Sequence, residues 1–274
     1  MVLESLINPF TAKKHPWEMF FVGFLYNSIA IFLSLWVFEE YASLVMVFLT
    51  VMACVPFIYK TIKIEEEIDL KIKKEFVLMK EHSKVLIFLI FLFLGIMLSV
   101  AVWYVVFPSS IHQTLFNIQT DTIEKINNPL TGKAIGSFNL FLRIFSNNMK
   151  VLMFCLLFAF FYGAGAIFIL TWNASVIGVA IGNLIKTNIA KITNYFSVFP
   201  LAVLRYMTHG VFEISAYFAA GLAGGIISIA VIKHEGGTKQ FRKVLVNSFD
   251  MILIAILLLF VAALVEVFIT PILF

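Results

Sequence analysis

Apolar runs of about twenty residues recur along this chain, and a run of that length is what one helical crossing of a bilayer requires. They fall at residues 19–38, 42–59, 85–107, 151–171, 173 to about 184, 209–232 and 251–274, the fifth being short. Six to seven spans are therefore expected in an all-α polytopic membrane bundle, flanked by interfacial amphipathic helices. Composition agrees: 61% of the residues are apolar and 13% charged, against about 45–50% and about 25% for a soluble domain. An ordinary soluble enzyme, a disordered chain and a nucleic-acid-binding domain are excluded.

Sidedness follows from the basic residues. If the amino terminus is cytoplasmic, the inner stretches are the amino-terminal segment, residues 60–84, a turn near Thr171 to Asn173, and residues 233–247. They hold thirteen of the twenty Lys and Arg, which favours that orientation in the plasma membrane. The first apolar run is too long for a signal peptide and is followed by Glu39 and Glu40 instead of a small-residue cleavage site, so it reads as a retained anchor. Cys54 and Cys155 sit in separate apolar runs and read as buried packing residues.

One integral domain, 1–274, is expected. Residues 60–84 contain seven lysines and six acids, with Ile64, Ile68, Ile72, Phe76 and Met79 at helical spacing. This is a charged amphipathic helix or helical hairpin, read first as a solvated cytoplasmic arm and second as a docking surface. Residues 108–149 read as two extracytoplasmic interfacial helices, the second capped by Ser137 and carrying Phe138, Phe141 and Phe145. Residues 150–274 form a Gly- and Asn-rich core.

A charge at bilayer depth costs roughly 2.5–3.5 kcal/mol on insertion scales, so an ionisable residue inside a span is a functional candidate. Arg205, His209 and Glu213 lie four residues apart, on one face of a helix, and Glu266 is a weaker candidate nearer the outer end of the last span. The Pro200 segment before them reads as a partly embedded, non-helical approach. Asn147, Asn148 and Asn173 are expected to extend the His209–Glu213 pair into a network that binds an ion, proton or ligand. The alternative reading is that His209 anchors the helix and Glu213 makes one buried hydrogen bond to an asparagine. A zinc site would need a third ligand beyond His209 and Glu213, so the metal is left undetermined and no cofactor is expected.

Gly178 and Gly182 in the fifth run, and Gly221 and Gly225 in the sixth, are small-residue steps that let helices approach closely in lipid. A tight crossing of those two helices is expected, within one chain or across a homodimer.

The block His209-Gly210-Val211-Phe212-Glu213-Ile214-Ser215-Ala216, followed by Ala219-Ala220-Gly221-Leu222-Ala223-Gly224-Gly225, resembles the stage II sporulation protein M family. Asn147-Asn148 and Trp172-Asn173-Ala174-Ser175-Val176-Ile177-Gly178 resemble other recurring positions of that family, and the likeness lies mainly over residues 140–232. The resemblance implies a multi-span protein of a prokaryotic plasma membrane that organises partners without catalysis. The expected function is a non-enzymatic scaffold or anchor for a membrane or extracytoplasmic protein partner. The alternatives are a transporter or channel using the His/Glu site and, behind it, an intramembrane zinc metalloprotease. The basic residues are interleaved with acids, so no nucleic-acid partner is expected.

Overall fold

The computed structural model describes residues 8–127, 136–162, 164–189, 195–234 and 236–273, and among these the chain is helical with no strand. Seven of its helices are long and apolar enough to cross a membrane, so the chain is an all-α, multi-pass bundle. A short helix α1 (Pro9–Lys14) leads into α2 (Glu18–Val37). A 3-10 turn (Glu39–Tyr41) precedes α3 (Ala42–Lys71), which forms a hairpin with α4 (Glu75–Val106). Two short helices follow, α5 (Ser109–Leu115) and α6 (Asn117–Asn127), then α7 (Ser137–Tyr162) and α8 (Ala166–Ile189). The last long helices are α9 (Tyr195–Lys233) and α10 (Lys239–Leu264); a π-helical turn (Val265–Ile269) joins α10 to α11 (Thr270–Leu273).

The helices pack as two groups. In one, α4 lies between α2 and α8 with α3 alongside; in the other, α9 lies between α7 and α10 and also touches α8. The most apolar stretch of α9 is 78% buried, and that of α7 only 22%, which makes α9 the centre and α7 a peripheral helix. Both free cysteines are buried.

The closest crossing joins α2 to α4. A Cβ added to Gly23 would overlap the Leu92 carbonyl, and one on Gly95 would overlap that of Phe20, so only glycine fits at either position. Close backbones leave room for a string of polar bonds beside them. Asn27 donates to Ser99 at 3.0 Å, Thr50 donates to Asn27 at 3.1 Å, and the Trp103 indole N–H donates to Ser28 at 3.0 Å. Such bonds satisfy buried polar groups where lipid offers none.

Several expectations from sequence change here. The turn placed near Thr171 to Asn173 lies inside α8, and the chain instead turns just before Ala166, at Ala164 and Gly165. Asn173 stays in the helix because its amide donates to the Ile169 carbonyl at 2.9 Å. Ser137 opens the fourth span itself, since α7 runs unbroken from Ser137 to Tyr162, and no separate interfacial helix carries Phe138, Phe141 and Phe145. Helix α9 likewise passes through Pro200 without a break. Pro200 is the sixth residue of α9, past the unpaired N–H groups of its first turn, so the helix continues there at the cost of one intrahelical bond.

The glycine steps are close contacts, but not with each other. A Cβ on Gly178 would lie 2.7 Å from the Met97 carbonyl oxygen, and one on Gly182 would lie 2.8 Å from the Tyr104 Cβ, both on α4. A Cβ added to Gly221 would lie 2.7 Å from the Ala166 Cβ, one on Gly224 would lie 2.7 Å from the Leu156 carbonyl oxygen of α7, and Gly225 is buried. Small residues mark where helices touch without naming the partner.

Candidate functional site

Two polar clusters stand apart from the apolar packing, at opposite halves of the bundle. The first is the one the sequence pointed to. Asn148 on α7, 8% exposed, donates its amide to the Glu213 carboxylate on α9. His209, one turn earlier on α9, does not bond Glu213. Its Nδ1 lies 3.5 Å from the Thr270 hydroxyl, which also reaches the Val265 carbonyl at 3.2 Å across the π-helical turn. That turn carries Glu266 within electrostatic reach of Glu213. π-Helical turns concentrate at functional positions because the extra residue redirects side chains.

The predicted set is therefore only partly assembled. Asn148, Glu213, His209 and Glu266 gather from α7, α9 and the end of α10. Asn147 is exposed, Asn173 is committed to its own helix, and the side chain of Arg205 lies outside the described residues. Among the described residues no group of three or more His, Cys, Asp and Glu is arranged to hold a metal ion.

The second cluster was not anticipated, and it lies where a solvated arm was expected. Glu65, Glu66, Asp69 and His82 are each 1% exposed or less. Glu65 accepts from the Lys13 ammonium of α1 at 2.5 Å and pairs with His82 Nδ1 at 3.0 Å. His82 Nε2 lies 3.3 Å from Asp69, which also accepts from the Asn247 amide of α10 at 3.1 Å. Glu66 binds Lys233 and His234, at the end of α9, both at 2.7 Å. Because both ring nitrogens of His82 face carboxylate oxygens, the ring must carry both hydrogens and a positive charge to serve both. Lys243 closes the cluster by donating to the carbonyls of Leu70 at 3.1 Å and Ile72 at 2.7 Å, capping the end of α3.

A lone buried carboxylate costs several kcal/mol, so each of these acids needs its partners. The signal that places them was the phase of α3. Its bundle-facing stripe runs through Met46, Val47, Thr50, Cys54, Phe57, Ile58, Thr61 and Ile62, and continues in register to Glu65, Glu66 and Asp69. Ile64 and Ile68, taken as the apolar face of the arm, are only partly buried.

Residues 85–271 match the Stage II sporulation protein M family. The chain belongs to that family. An uncharacterized protein of Methanocaldococcus jannaschii is 30% identical over 166 residues, covering 56% of this chain and 84% of that protein. No solved structure matches the chain. The family match contains the Asn148–Glu213 cluster entirely. It splits the other cluster: Lys13, Glu65, Glu66, Asp69 and His82 precede residue 85, while Lys233, His234, Lys243 and Asn247 fall within the match.

Proposed function

We propose that this protein is a non-enzymatic scaffold or anchor of the plasma membrane, its amino terminus cytoplasmic, which holds a membrane or extracytoplasmic protein partner. The observation that supports this reading most is the state of Glu213. Its carboxylate is engaged by Asn148 across a packed helix pair, and the cavities beside Thr61, Arg242 and Phe249 are lined by other residues. A buried carboxyl group used as interhelical glue serves to hold a shape. The most apolar stretches of α7 and α10 are only 22% and 28% buried, which leaves two lateral faces for a partner or a second copy in the membrane. The positive bias of the end that carries Lys13, residues 60–84 and Lys239 to Lys243 supports the cytoplasmic placement. Cross-linking in intact membranes, followed by gentle solubilisation, is expected to recover a partner in fixed ratio. Partner-free protein that performs catalytic turnover would overturn the proposal.

A second reading is favoured by one observation: Asn148, His209, Glu213 and Glu266, all in apolar spans, converge from separate elements. A transporter for a proton or cation would use such a set. Ion flux in proteoliposomes that is lost in Glu213→Gln would place this reading first.

A further inference from the structure

Beside the buried ion cluster, the hairpin between α3 and α4 and the first turns of α10 line an open cavity of about 360 Å³. Four cationic side chains line it, Lys73, Lys239, Arg242 and Lys243, against one carboxylate, Glu75. Lys243 is held by the Leu70 and Ile72 carbonyls. Lys73, Lys239 and Arg242 form no ion pair among the described residues, although the cations a few residues away, Lys13, His82 and Lys233, are all matched to acids. The cavity thus carries an uncompensated positive charge. The amino-terminal end of α10, capped by the Thr238 hydroxyl accepting from the Phe241 N–H, adds the positive end of a helix dipole.

A second cavity of about 380 Å³ adjoins it, lined by Ile227, Leu245, Val246, Phe249 and Ile252. Val246 lines both cavities. From Arg242 to Ile252 the two follow α10 for about 15 Å, at about 1.5 Å per residue. Val246 and Phe249 are 51% and 58% exposed, so this groove opens towards lipid and not into the bundle. A basic cavity at the membrane edge that continues into an apolar groove matches the two halves of one molecule.

We propose that this composite site binds an anionic phospholipid, its phosphate held among Lys73, Lys239 and Arg242 and one acyl chain lying along Val246 and Phe249. Charge complementarity selects the anionic headgroup, and the continuity of the apolar groove selects a lipid over a free phosphate. The site is separate from the Glu213 cluster and does not depend on the scaffold reading.

The test uses the full chain in detergent micelles, with native mass spectrometry and thermal melting in the presence of phosphatidylglycerol, phosphatidylcholine or sn-glycerol 3-phosphate. Phosphatidylglycerol is expected to be retained and to raise the melting temperature, with at least a roughly tenfold preference over phosphatidylcholine. Lys239→Glu with Arg242→Glu removes that preference, while Lys60→Glu with Lys63→Glu, the same charge change on exposed residues outside the cavity, leaves it intact. Val246→Trp, which fills the groove at a half-exposed position, weakens lipid retention several-fold while the melting temperature without lipid is unchanged. An equal loss in the Lys60/Lys63 variant would mean diffuse surface attraction and overturn the proposal. Stabilisation by sn-glycerol 3-phosphate equal to that by phosphatidylglycerol would overturn the lipid assignment.

Discussion

The two polar clusters remove carboxylates from water by different means. Glu65, Glu66 and Asp69, in the stretch of α3 beyond its apolar span, each have two side-chain partners, and cations supply most of them. Among the described residues, Glu213, inside the apolar span of α9, has one hydrogen-bond partner, and it is a neutral amide. Beyond the apolar span, then, burial is compensated by ion pairs from three other helices and an amide from a fourth. Within an apolar span, helix packing and one amide hold the acid in place. The first arrangement is a clasp whose strength resides in charge. The second is a contact whose strength resides in shape and one hydrogen bond.

Removing His82 is the most severe way to break that contrast. His82→Ala leaves Glu65 and Asp69 each short of a partner, and the expected loss is about 3–5 kcal/mol, read as a lowered melting temperature in micelles. A loss in the range of an exposed pair, about 0–1 kcal/mol, would remove the distinction between the clusters. Asn148→Leu comes next. It deprives Glu213 of its donor at similar side-chain volume, with an expected cost of about 1–3 kcal/mol in the same assay. Glu213→Gln sharpens the comparison from the other side, because glutamine keeps an oxygen for Asn148. Its expected cost is under about 1 kcal/mol, and a larger one would show that the charge of Glu213 itself is needed.

The smallest effect belongs to a histidine outside both clusters. Burial, and then the Lys186 ammonium, hold the His112 imidazole below its ordinary value of 6.5. The folded state therefore binds fewer protons there than the unfolded chain, and its stability falls as pH drops below the ordinary imidazole range. A modest drop in melting temperature between neutral and mildly acidic buffer is expected. Part of it should disappear in His112→Gln.

The spans were legible wherever hydrophobic length alone decides. The first three, at α2, α3 and α4, lie where the apolar runs lie. The fourth and fifth were misdivided because the true turn, at Ala164 and Gly165, interrupts an apolar stretch with small residues only, whereas Asn173 looked polar enough to end a helix. A side chain that bonds its own helix, as Asn173 does with Ile169, hides its polarity from lipid. At the candidate site, spacing pointed to Glu213, and in the structure that residue accepts a hydrogen bond from Asn148, one of the asparagines the sequence had set beside it. Spacing could not show that His209 turns towards Thr270, since that depends on the π-helical turn near the end of the chain. The acids of residues 65–69 were read as solvated because charge was weighed before phase. Extending the buried stripe of α3 by two turns would have placed them inside.

The clasp also has a consequence for how the protein is made. Glu66 and Lys233 are 167 residues apart, and Asp69 and Asn247 are 178 apart, so the acids are synthesised long before most of their partners. Until the final pair of spans has been inserted, Glu66 lacks both of its partners and Asp69 its amide, and the two must borrow water or lipid headgroups as counterparts, while Glu65 already has Lys13 and His82. A ribosome product cut short after α8 would keep its early helices in the bilayer with Glu66 unmatched at their base, a fault that only the arrival of Lys233 and His234 repairs.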